Sequence, residues 1–255
     1  MRLLDFSGIL YRAAQLAGLD RSSLNNSTFA LLRDFASGRL GWVWEHEPWV
    51  ETTRIAEAAV VTSGVGLRTV TLGENVGDVF QVWNKDPRLG TTARAVQYFL
   101  YGDGDQRLIN IVDPSGYTTV FLEYRAARPL LFGDPWSASV AYEVGAQAYF
   151  DPGTASGSLT PGEGKAPVGN LYECIVATTA GQSPSTASLS WQRVEIPAAF
   201  EEYLVRGVVA DYWRAEGQFD KAQVAENDAT AAVERLVDVQ ARQQGQIARL
   251  NVWSY

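Results

Sequence analysis

Apolar residues recur with a helical period near both ends of the chain. A first helix is predicted to end at Gly18, because glycine readily adopts the left-handed backbone that follows many helices. A second is predicted from the polar stretch NNST to Pro48, which closes the segment. The apolar stripes are Ile9, Leu10, Ala13, Leu16 and Ala17 in the first helix, and Phe29, Leu32, Ala36, Leu40 and Val43 in the second. Each helix has one stripe, so the two must pack on each other or on another element.

Two further helices are predicted towards the carboxyl end of the chain. Pro197 suits the first turn of one helix, which runs to Gly217. Asp220 and Gln223 resemble a capping box at the start of the other, which is predicted to end at Gly245. The stripes are Phe200, Tyr203, Leu204, Val208 and Tyr212, and then Ala225, Ala229, Ala232, Val233, Leu236 and either Val239 or Gln240. The last stripe is narrow and rich in alanine, which is typical of closely packed helix pairs.

The middle of the chain is predicted to form a small antiparallel sheet. Short runs rich in Val, Thr, Ile, Phe and Tyr are separated by Gly, Asp, Asn and Pro, and GDGD at 102–105 is typical of a turn. The predicted strands are 67–72, 79–83, 95–100, 108–112 and 118–125. We therefore predict an α+β fold. Its parts are a helical bundle from 1–57 and 196–245, a β-rich region at 58–128, and a small inserted β module at 129–195.

Composition and charge narrow the classes of function. The chain has 255 residues, of which 46% are hydrophobic, enough for a sizeable core. The net charge is −8 and the basic residues are scattered, so no surface for gripping a nucleic-acid backbone is expected. A single cysteine, Cys174, precludes an intramolecular disulfide and suits assembly in a reducing cytoplasm. No apolar run approaches the ~18 residues of a membrane span, and no signal peptide is expected.

Candidate catalytic residues lack partners at a useful spacing. His46 stands between Glu45 and Glu47, and three adjacent residues do not share one face of a helix. A histidine at the negative end of a helix is therefore favoured over a metal ligand or an acid-base group. Cys174 lies in the alternating run LYECIVA, which favours a buried structural thiol over a nucleophile. We expect no enzymatic activity, no metal site and no cofactor.

Aromatic residues are regularly placed in two segments, PWSASVAYEVGAQAYF at 135–150 and NLYECIVATTAGQSPSTASLSWQRV at 170–194. These segments resemble the chitin-binding type of carbohydrate-binding module. The matching positions are Trp136, Tyr142, Gly145, Tyr149, Tyr172, Pro184 and Trp191. The resemblance implies two alternative roles, stacking on sugar rings or filling the core of a small domain, for Trp136, Tyr142, Tyr172 and Trp191. If a sugar binds, the exposed members of this set are expected to carry the affinity. The loop at 151–170 is a long, polar insertion relative to the family pattern.

The helical ends carry a second resemblance, over 3–49 and 200–246. The stretches YRAAQLAGL and YLVRGVVADYWRAEGQ look like parts of the head-to-tail connector proteins, the neck or adaptor rings, of tailed bacteriophages. This resemblance implies a homo-oligomeric ring, commonly twelve-fold, that contacts the portal protein and the tail or nozzle proteins. It also implies that DNA passes through the ring without sequence-specific binding. The implied location is the neck of the virion, after assembly in the host cytoplasm and without membrane contact.

Two further expectations concern the module and the end of the chain. The module, between Pro129 and Pro197, is expected to be self-contained, to face outward, and to be dispensable for ring formation. The tail at 246–255 is expected to extend away and dock on the portal or on an adjacent subunit, because it would otherwise expose aromatic surface. Folding back on its own bundle is the alternative. The candidate docking residues are Ile247, Leu250, Val252, Trp253 and Tyr255. For the whole chain, the alternative is a tail or host-recognition protein that carries a carbohydrate-binding module.

Overall fold

The protein has an α+β fold, as predicted, and the residues that the structure describes form four helices and several sheets. The computed structural model describes residues 2–20, 24–62, 66–89, 92–112, 115–153, 159 and 168–252, with side chains described up to residue 242. The chain divides into two compact units. The first, called the helical unit below, combines 1–47 with 129–255, and the second is formed by 48–128.

The helices all belong to the helical unit. They are α1 Phe6–Leu16, α2 Asn26–His46, α3 Glu201–Ala215 and α4 Phe219–Val252. Gly18 follows α1 with a φ of 76°, as predicted. Asn25 caps α2, because its side-chain oxygen accepts a hydrogen bond of 2.9 Å from the Thr28 N–H. The predicted stripe of α2 is fully buried, whereas in α1 Leu16 is exposed.

The carboxy-terminal helices differ from the prediction at two points. The capping box is not formed, because α4 begins before Asp220 and the Gln223 side chain donates to Asn227 instead. The predicted end at Gly245 is also wrong, because α4 continues to Val252. A glycine inside a helix costs only about 1 kcal/mol relative to alanine, which the rest of a long helix can tolerate. Over the helical residues that the structure describes, no segment is long and apolar enough to cross a membrane.

The described part of the second unit forms two antiparallel sheets rather than the one predicted. Its strands are β1 Thr53–Ala59, β2 Val61–Thr62, β3 Arg68–Thr71, β4 Val76–Trp83, β5 Tyr98–Asp103, β6 Gln106–Ile111 and β7 Thr119–Ala126. They pair in the orders β1-β7-β4 and β2-β3-β6-β5 and enclose a core that includes Val82, Ile109 and Val120. The boundary predicted at residue 57 is wrong, since it falls inside β1. The run TRIAEAA favours a helix by composition, and pairing with β7 overrides that preference.

The segment at 129–195 supplies a small sheet to the helical unit. Its strands are β8 Asp134–Pro135, β9 Gln147–Phe150, β10 Asn170–Cys174 and β11 Trp191–Arg193, in the order β11-β10-β9-β8. The pair β8–β9 is parallel and the other pairs are antiparallel. We call this segment the aromatic block. The polar loop predicted at 151–170 lies mostly outside the described residues, although Leu159 within it is buried.

The prediction that the aromatic block is self-contained is wrong. Tyr149 on β9 is 2% exposed, and its ring packs against Phe29 of α2 at 5.0 Å and Phe6 of α1 at 6.3 Å between centroids. The Asn170 side-chain oxygen accepts a hydrogen bond from the Phe6 N–H at 3.1 Å. The apolar faces of α1 and α2 are therefore covered partly by the block itself.

Arginine side chains add polar contacts across the same junction. Arg33 of α2, 9% exposed, donates to the Phe132 carbonyl at 3.0 Å and to the Asp134 carboxylate at 2.6 Å. From the block, Arg193 donates to the Leu4 carbonyl at 2.7 Å. Such contacts join the block to the helices by hydrogen bonds, in addition to the packing of the Tyr149 ring.

Candidate functional site

The α3–α4 hairpin is the longest helical feature of the chain. Gly217, with a φ of 71°, makes the turn between the two helices. The buried face of α4 carries small residues, namely Ala222, Ala225, Ala229, Ala232 and Val233. Alanine side chains let two helix backbones approach closely, so α4 packs along α3 as the alanine-rich stripe predicted.

The second half of α4 extends beyond the end of α3. The two helices contain 15 and 34 residues, or about 22 and 51 Å at the usual helical rise. An antiparallel partner of the length of α3, starting at Phe219, reaches to about residue 233. Val233 is indeed the last buried residue of α4 among the described side chains. The segment from 234 to 252 is called the distal segment below; it spans roughly 28 Å.

The predicted docking residues fall at the end of this distal segment. Ile247, Leu250 and Val252 lie on α4, and Trp253 and Tyr255 lie outside the described residues. The extended tail predicted after Gly245 is therefore replaced by helix as far as Val252. Whether these residues dock on a partner stays a prediction.

A network of ion pairs fixes α4 against α2 and α3. Arg39 of α2 binds both oxygens of Asp211 on α3, each at 2.7 Å, and both oxygens of Glu226 on α4, at 2.8 and 2.6 Å. Arg214 binds the same two carboxylates at 2.7 and 2.8 Å. The hydrogen bonds and charge of Arg39, followed by those of Arg214, lower the pKa of Glu226 to about 2. The network sets the direction in which α4 continues past the end of α3.

Sequence reasoning missed this network because its members are far apart along the chain. Arg39 is 172 positions from Asp211 and 187 positions from Glu226. Gly207 is a weak sequence signal for this network, because a glycine inside a predicted helix often marks a close contact with another part of the chain. A Cβ atom at Gly207 would lie 2.8 Å from the Arg39 side chain, so the glycine leaves room for that arginine.

A groove of about 530 Å³ lies beside the network, between α2, α3 and α4. Its lining includes stacked rings, in which Trp42 lies 4.4 Å from His46 and 5.3 Å from Tyr203 between centroids. Trp42 is 50% exposed. Glu226 at the same groove is ionised above about pH 2, so it does not serve as a proton donor near neutral pH. The groove therefore offers an aromatic surface beside fixed charges.

The two residues considered for catalysis take the places predicted for them. His46 is the last residue of α2. Cys174 is fully buried, and its thiol donates to the Val176 carbonyl at 3.1 Å. Within the ranges that the structure describes, no group of three or more His, Cys, Asp or Glu residues is placed to hold a metal ion.

The structure brings the four residues of the sugar-module pattern into one cluster. Trp136 and Trp191 are 6% and 5% exposed, whereas Tyr142 and Tyr172 are half-buried. The Tyr142 ring meets Trp191 edge to face at 5.1 Å. Trp136 and Tyr172 both meet Phe150, at 5.7 and 6.4 Å. Of the two roles left open by the sequence, the positions of both tryptophans fit the core of the block, and only the tyrosines present surface for stacking.

We expect the Trp191→Ala variant to lower the free energy of unfolding by about 3–5 kcal/mol, because a buried aromatic ring is replaced by a cavity. Thermal and denaturant unfolding of the variant measure this loss. A glycan array with the intact protein, repeated with Tyr142→Ala and Tyr172→Ala, tests the other role. Sugar binding that both tyrosine variants abolish, without loss of stability, would assign the exposed rings to stacking.

Comparisons with known proteins identify no relative of this chain. No protein-family model matches the chain, and no curated protein matches its sequence significantly. The distal segment of α4, the groove and the aromatic block are therefore interpreted from their own residues.

Proposed function

We propose that the chain is a structural virion protein of a tailed phage, a head-to-tail connector subunit. Copies form a ring under the portal, continue the DNA channel, and join head to tail. In this proposal the protein has no enzymatic role. It is assembled in the host cytoplasm and ends in the neck of the particle.

The observation that carries the proposal is the distal segment of α4. Helices in proteins gain most of their stability from packing rather than from the intrinsic preference of their residues. The cover that α3 provides ends near Val233, and Val239 farther along is 50% exposed. A helix that continues past its neighbour in this way can pack against a partner, which in a connector is the portal or a neighbouring subunit.

The network around Arg39 supports the same proposal. The distal segment needs a fixed direction if it is to bind a neighbouring protein. A helix that is free to change direction would lose orientational freedom on binding, which weakens the affinity. The guanidinium of Arg39 joins three helices through four hydrogen bonds, on the part of α4 that precedes the distal segment. The net charge of −8 also suits a channel wall along which DNA slides without adhering.

The alternative, a host-recognition protein with a sugar-binding module, has less support. Sugar stacking needs flat aromatic faces in solvent. Trp136 and Trp191 are nearly fully buried in the cluster of the block, and Tyr149 of the block packs against α1 and α2. The half-buried tyrosines keep this alternative open to the glycan array described above.

The experiment that tests the proposal uses portal-containing heads of the virus that encodes the chain. The full chain is expected to co-sediment with these heads and to appear as a ring beneath the portal in particle images. A chain that lacks residues 246–255 is expected to bind at least about tenfold more weakly while melting at the same temperature.

The full chain with Arg88→Ala, a change on the exposed surface of the second unit, serves as the matched control. Attachment that survives the truncation, together with a lower melting temperature, would show that the tail folds back on its own bundle. Failure of the full chain to join heads at all would overturn the connector proposal.

A further inference from the structure

The groove beside the Arg39 network has the form of a binding site for a helix. One wall is a face of α2 and the other is a face of α4, because the residues on each recur at intervals of three or four positions. Each wall runs for about 12 Å at the usual helical rise. The wall residues are Gly38, Trp42 and His46 on α2, and Glu226, Thr230, Val233 and Glu234 on α4. Amphipathic helices bind in such grooves through apolar residues at the same spacing.

Gly38 leaves open space at the α2 wall. In the part of the chain that the structure describes, a Cβ atom at Gly38 would meet nothing within 4 Å, whereas one at Gly207 would meet the Arg39 side chain. Glycine destabilises the interior of a helix, but it lets another element approach the backbone closely. The chain itself uses the space at Gly207. The free space at Gly38 is suited to an occupant from another molecule.

The distal segment of α4 does not reach the groove of its own chain. Helix α4 is uninterrupted from Phe219 to Val252, and its first half forms one wall of the groove. The distal segment therefore continues along the helix instead of folding back over that wall. It has surface for a contact with another molecule, because Val239 is 50% exposed and Arg242 is also exposed.

The sequence of the distal segment has the pattern that a groove between helices binds. Leu236, Ile247 and Leu250 lie on α4 at helical spacing, and they continue its apolar stripe past the end of α3. The groove offers the exposed ring of Trp42 and the side chain of Val233 to such a stripe. A second copy of the chain therefore supplies an amphipathic helix of the required kind.

The charges of the two surfaces are complementary. The whole chain has a net charge of −8, but residues 239–255 contain Arg242 and Arg249 and no acidic residue. In the groove, the ion-pair network balances two of the acidic side chains. Glu234 is exposed, lines the groove, and forms no ion pair with a described side chain. The groove thus has an excess of negative charge, which favours the basic distal segment over an acidic occupant.

We propose that the distal segment of one copy binds in this groove of the next copy. The apolar stripe of the partner's α4 lies against Trp42 and Val233, and the partner's Arg242 lies beside Glu234. Two different surfaces meet in this contact, and contacts of that kind close into a ring when the rotation between copies allows it. The inference rests on the connector proposal and assigns the contact that holds its ring together.

Two complementary variants test the pairing in the absence of heads. The first carries Gly38→Leu, so its groove is filled and its distal segment is complete. The second ends at Asp238, so its groove is open and most of its distal segment is missing. Each variant alone is expected to be a monomer, and the mixture is expected to give a one-to-one complex that does not grow. The wild-type chain is expected to form larger oligomers as its concentration rises. Sedimentation velocity measures these masses.

The leucine substitution is expected to act on association without harm to the fold. Leucine favours a helix more than glycine does, and its side chain enters free space, so the melting temperature should not fall. The dissociation constant between copies is expected to rise at least about tenfold. Ala215→Leu, at an exposed residue of α3 outside the groove, is the matched control that keeps the wild-type association.

A charge exchange between the two variants tests the position of Arg242. Arg242→Glu in the first variant is expected to weaken the one-to-one complex by about three- to tenfold, because it places a carboxylate beside Glu234. Glu234→Arg in the second variant is expected to restore the affinity. An affinity that Arg242→Glu leaves unchanged would overturn the proposed position of the distal segment.

The outcomes separate this inference from the connector proposal. Heads that bind the wild-type chain, while the mixed variants remain monomeric, would overturn the groove pairing and leave the connector proposal standing, with the portal as the partner of the distal segment. A one-to-one complex without attachment of the wild-type chain to heads would support the pairing and overturn the connector proposal. A complex that forms equally well when both variants carry Gly38→Leu would also overturn the pairing.

Discussion

A chain that lacks residues 129–195 is expected not to fold its helical unit. The deletion removes Tyr149 from its contacts with Phe6 and Phe29. It also removes the Asn170 side chain and the Gly169 carbonyl, which accept hydrogen bonds from the first N–H groups of α1. The apolar stripes of α1 and α2 then face water over part of their area. Far-UV circular dichroism and hydrogen exchange of the amides in α1 and α2 measure the loss.

A single substitution makes the same test without a large deletion. Tyr149→Ala is expected to lower the free energy of unfolding of the helical unit by about 3–5 kcal/mol, because the ring is almost fully buried. Tyr172→Ala, at a half-buried ring in the same block, is the matched control and should cost less. If the deletion chain keeps native hydrogen-exchange protection in α1 and α2, the aromatic block is not needed for the folding of these helices.

Replacing Arg39 by Met is expected to cost about 2–4 kcal/mol of stability, because Asp211 and Glu226 lose a shared partner in a partly buried site. The Arg39 side chain is 13% exposed and its two partners are 23% and 27% exposed. Arg214 continues to bind both carboxylates in the variant. The loss of stability is therefore smaller than if both carboxylates had no partner. Chemical denaturation, followed by tryptophan fluorescence, measures the difference.

Acid should reveal the same interaction in the wild-type protein. The pKa of Glu226 falls from 4.5 to about 2 on folding, so its contribution is fully present above about pH 4.5. This contribution is lost as the pH falls towards 2, because the carboxyl group then takes up a proton in the folded state as well. The Arg39→Met variant should show a shallower loss of stability across this window.

Two further variants separate geometry from charge at this site. Arg39→Lys keeps the charge but loses the planar fork that binds two carboxylates at once, so most of the loss should remain. Arg88→Ala removes an exposed partner of Asp86 and should leave stability nearly unchanged, because solvent screens an exposed ion pair. Equal losses for Arg39→Met and Arg88→Ala would show that the network contributes nothing beyond an ordinary surface ion pair.

Local pattern predicted the helices of this fold well. The buried face of α2 carries Phe29, Leu32, Ala36, Leu40 and Val43. Their spacing predicted this, because residues three or four positions apart lie on the same face of a helix. The first part of the predicted α4 stripe, to Val233, is likewise buried, whereas Leu236 is half-buried and Val239 is exposed. Five predicted strand runs each overlap an observed strand in β3–β7. These features depend on residues close together in sequence.

Features that depend on distant residues were beyond the sequence. Nothing near Tyr149 indicates that its ring contacts Phe29, which lies on a helix far earlier in the chain. The pattern that resembles a sugar-binding module instead suggested a separate domain. Similarly, TRIAEAA becomes β1 only because β7 pairs with it. For the candidate site, the docking residues were predicted to follow a helix end at Gly245. The helix instead continues past this glycine to Val252.

The division of the helical unit by the second unit has a consequence for synthesis on the ribosome. The chain makes α2 first, then all of 48–128, and only afterwards Tyr149. At about 5–20 residues per second, Tyr149 emerges roughly 5–20 s after the end of α2. The second unit is continuous in sequence and can fold during that interval, whereas α1 and α2 must wait with their apolar faces uncovered. Newly made chains are therefore expected to engage chaperones at their first helices, and slower translation of 48–128 should prolong that engagement.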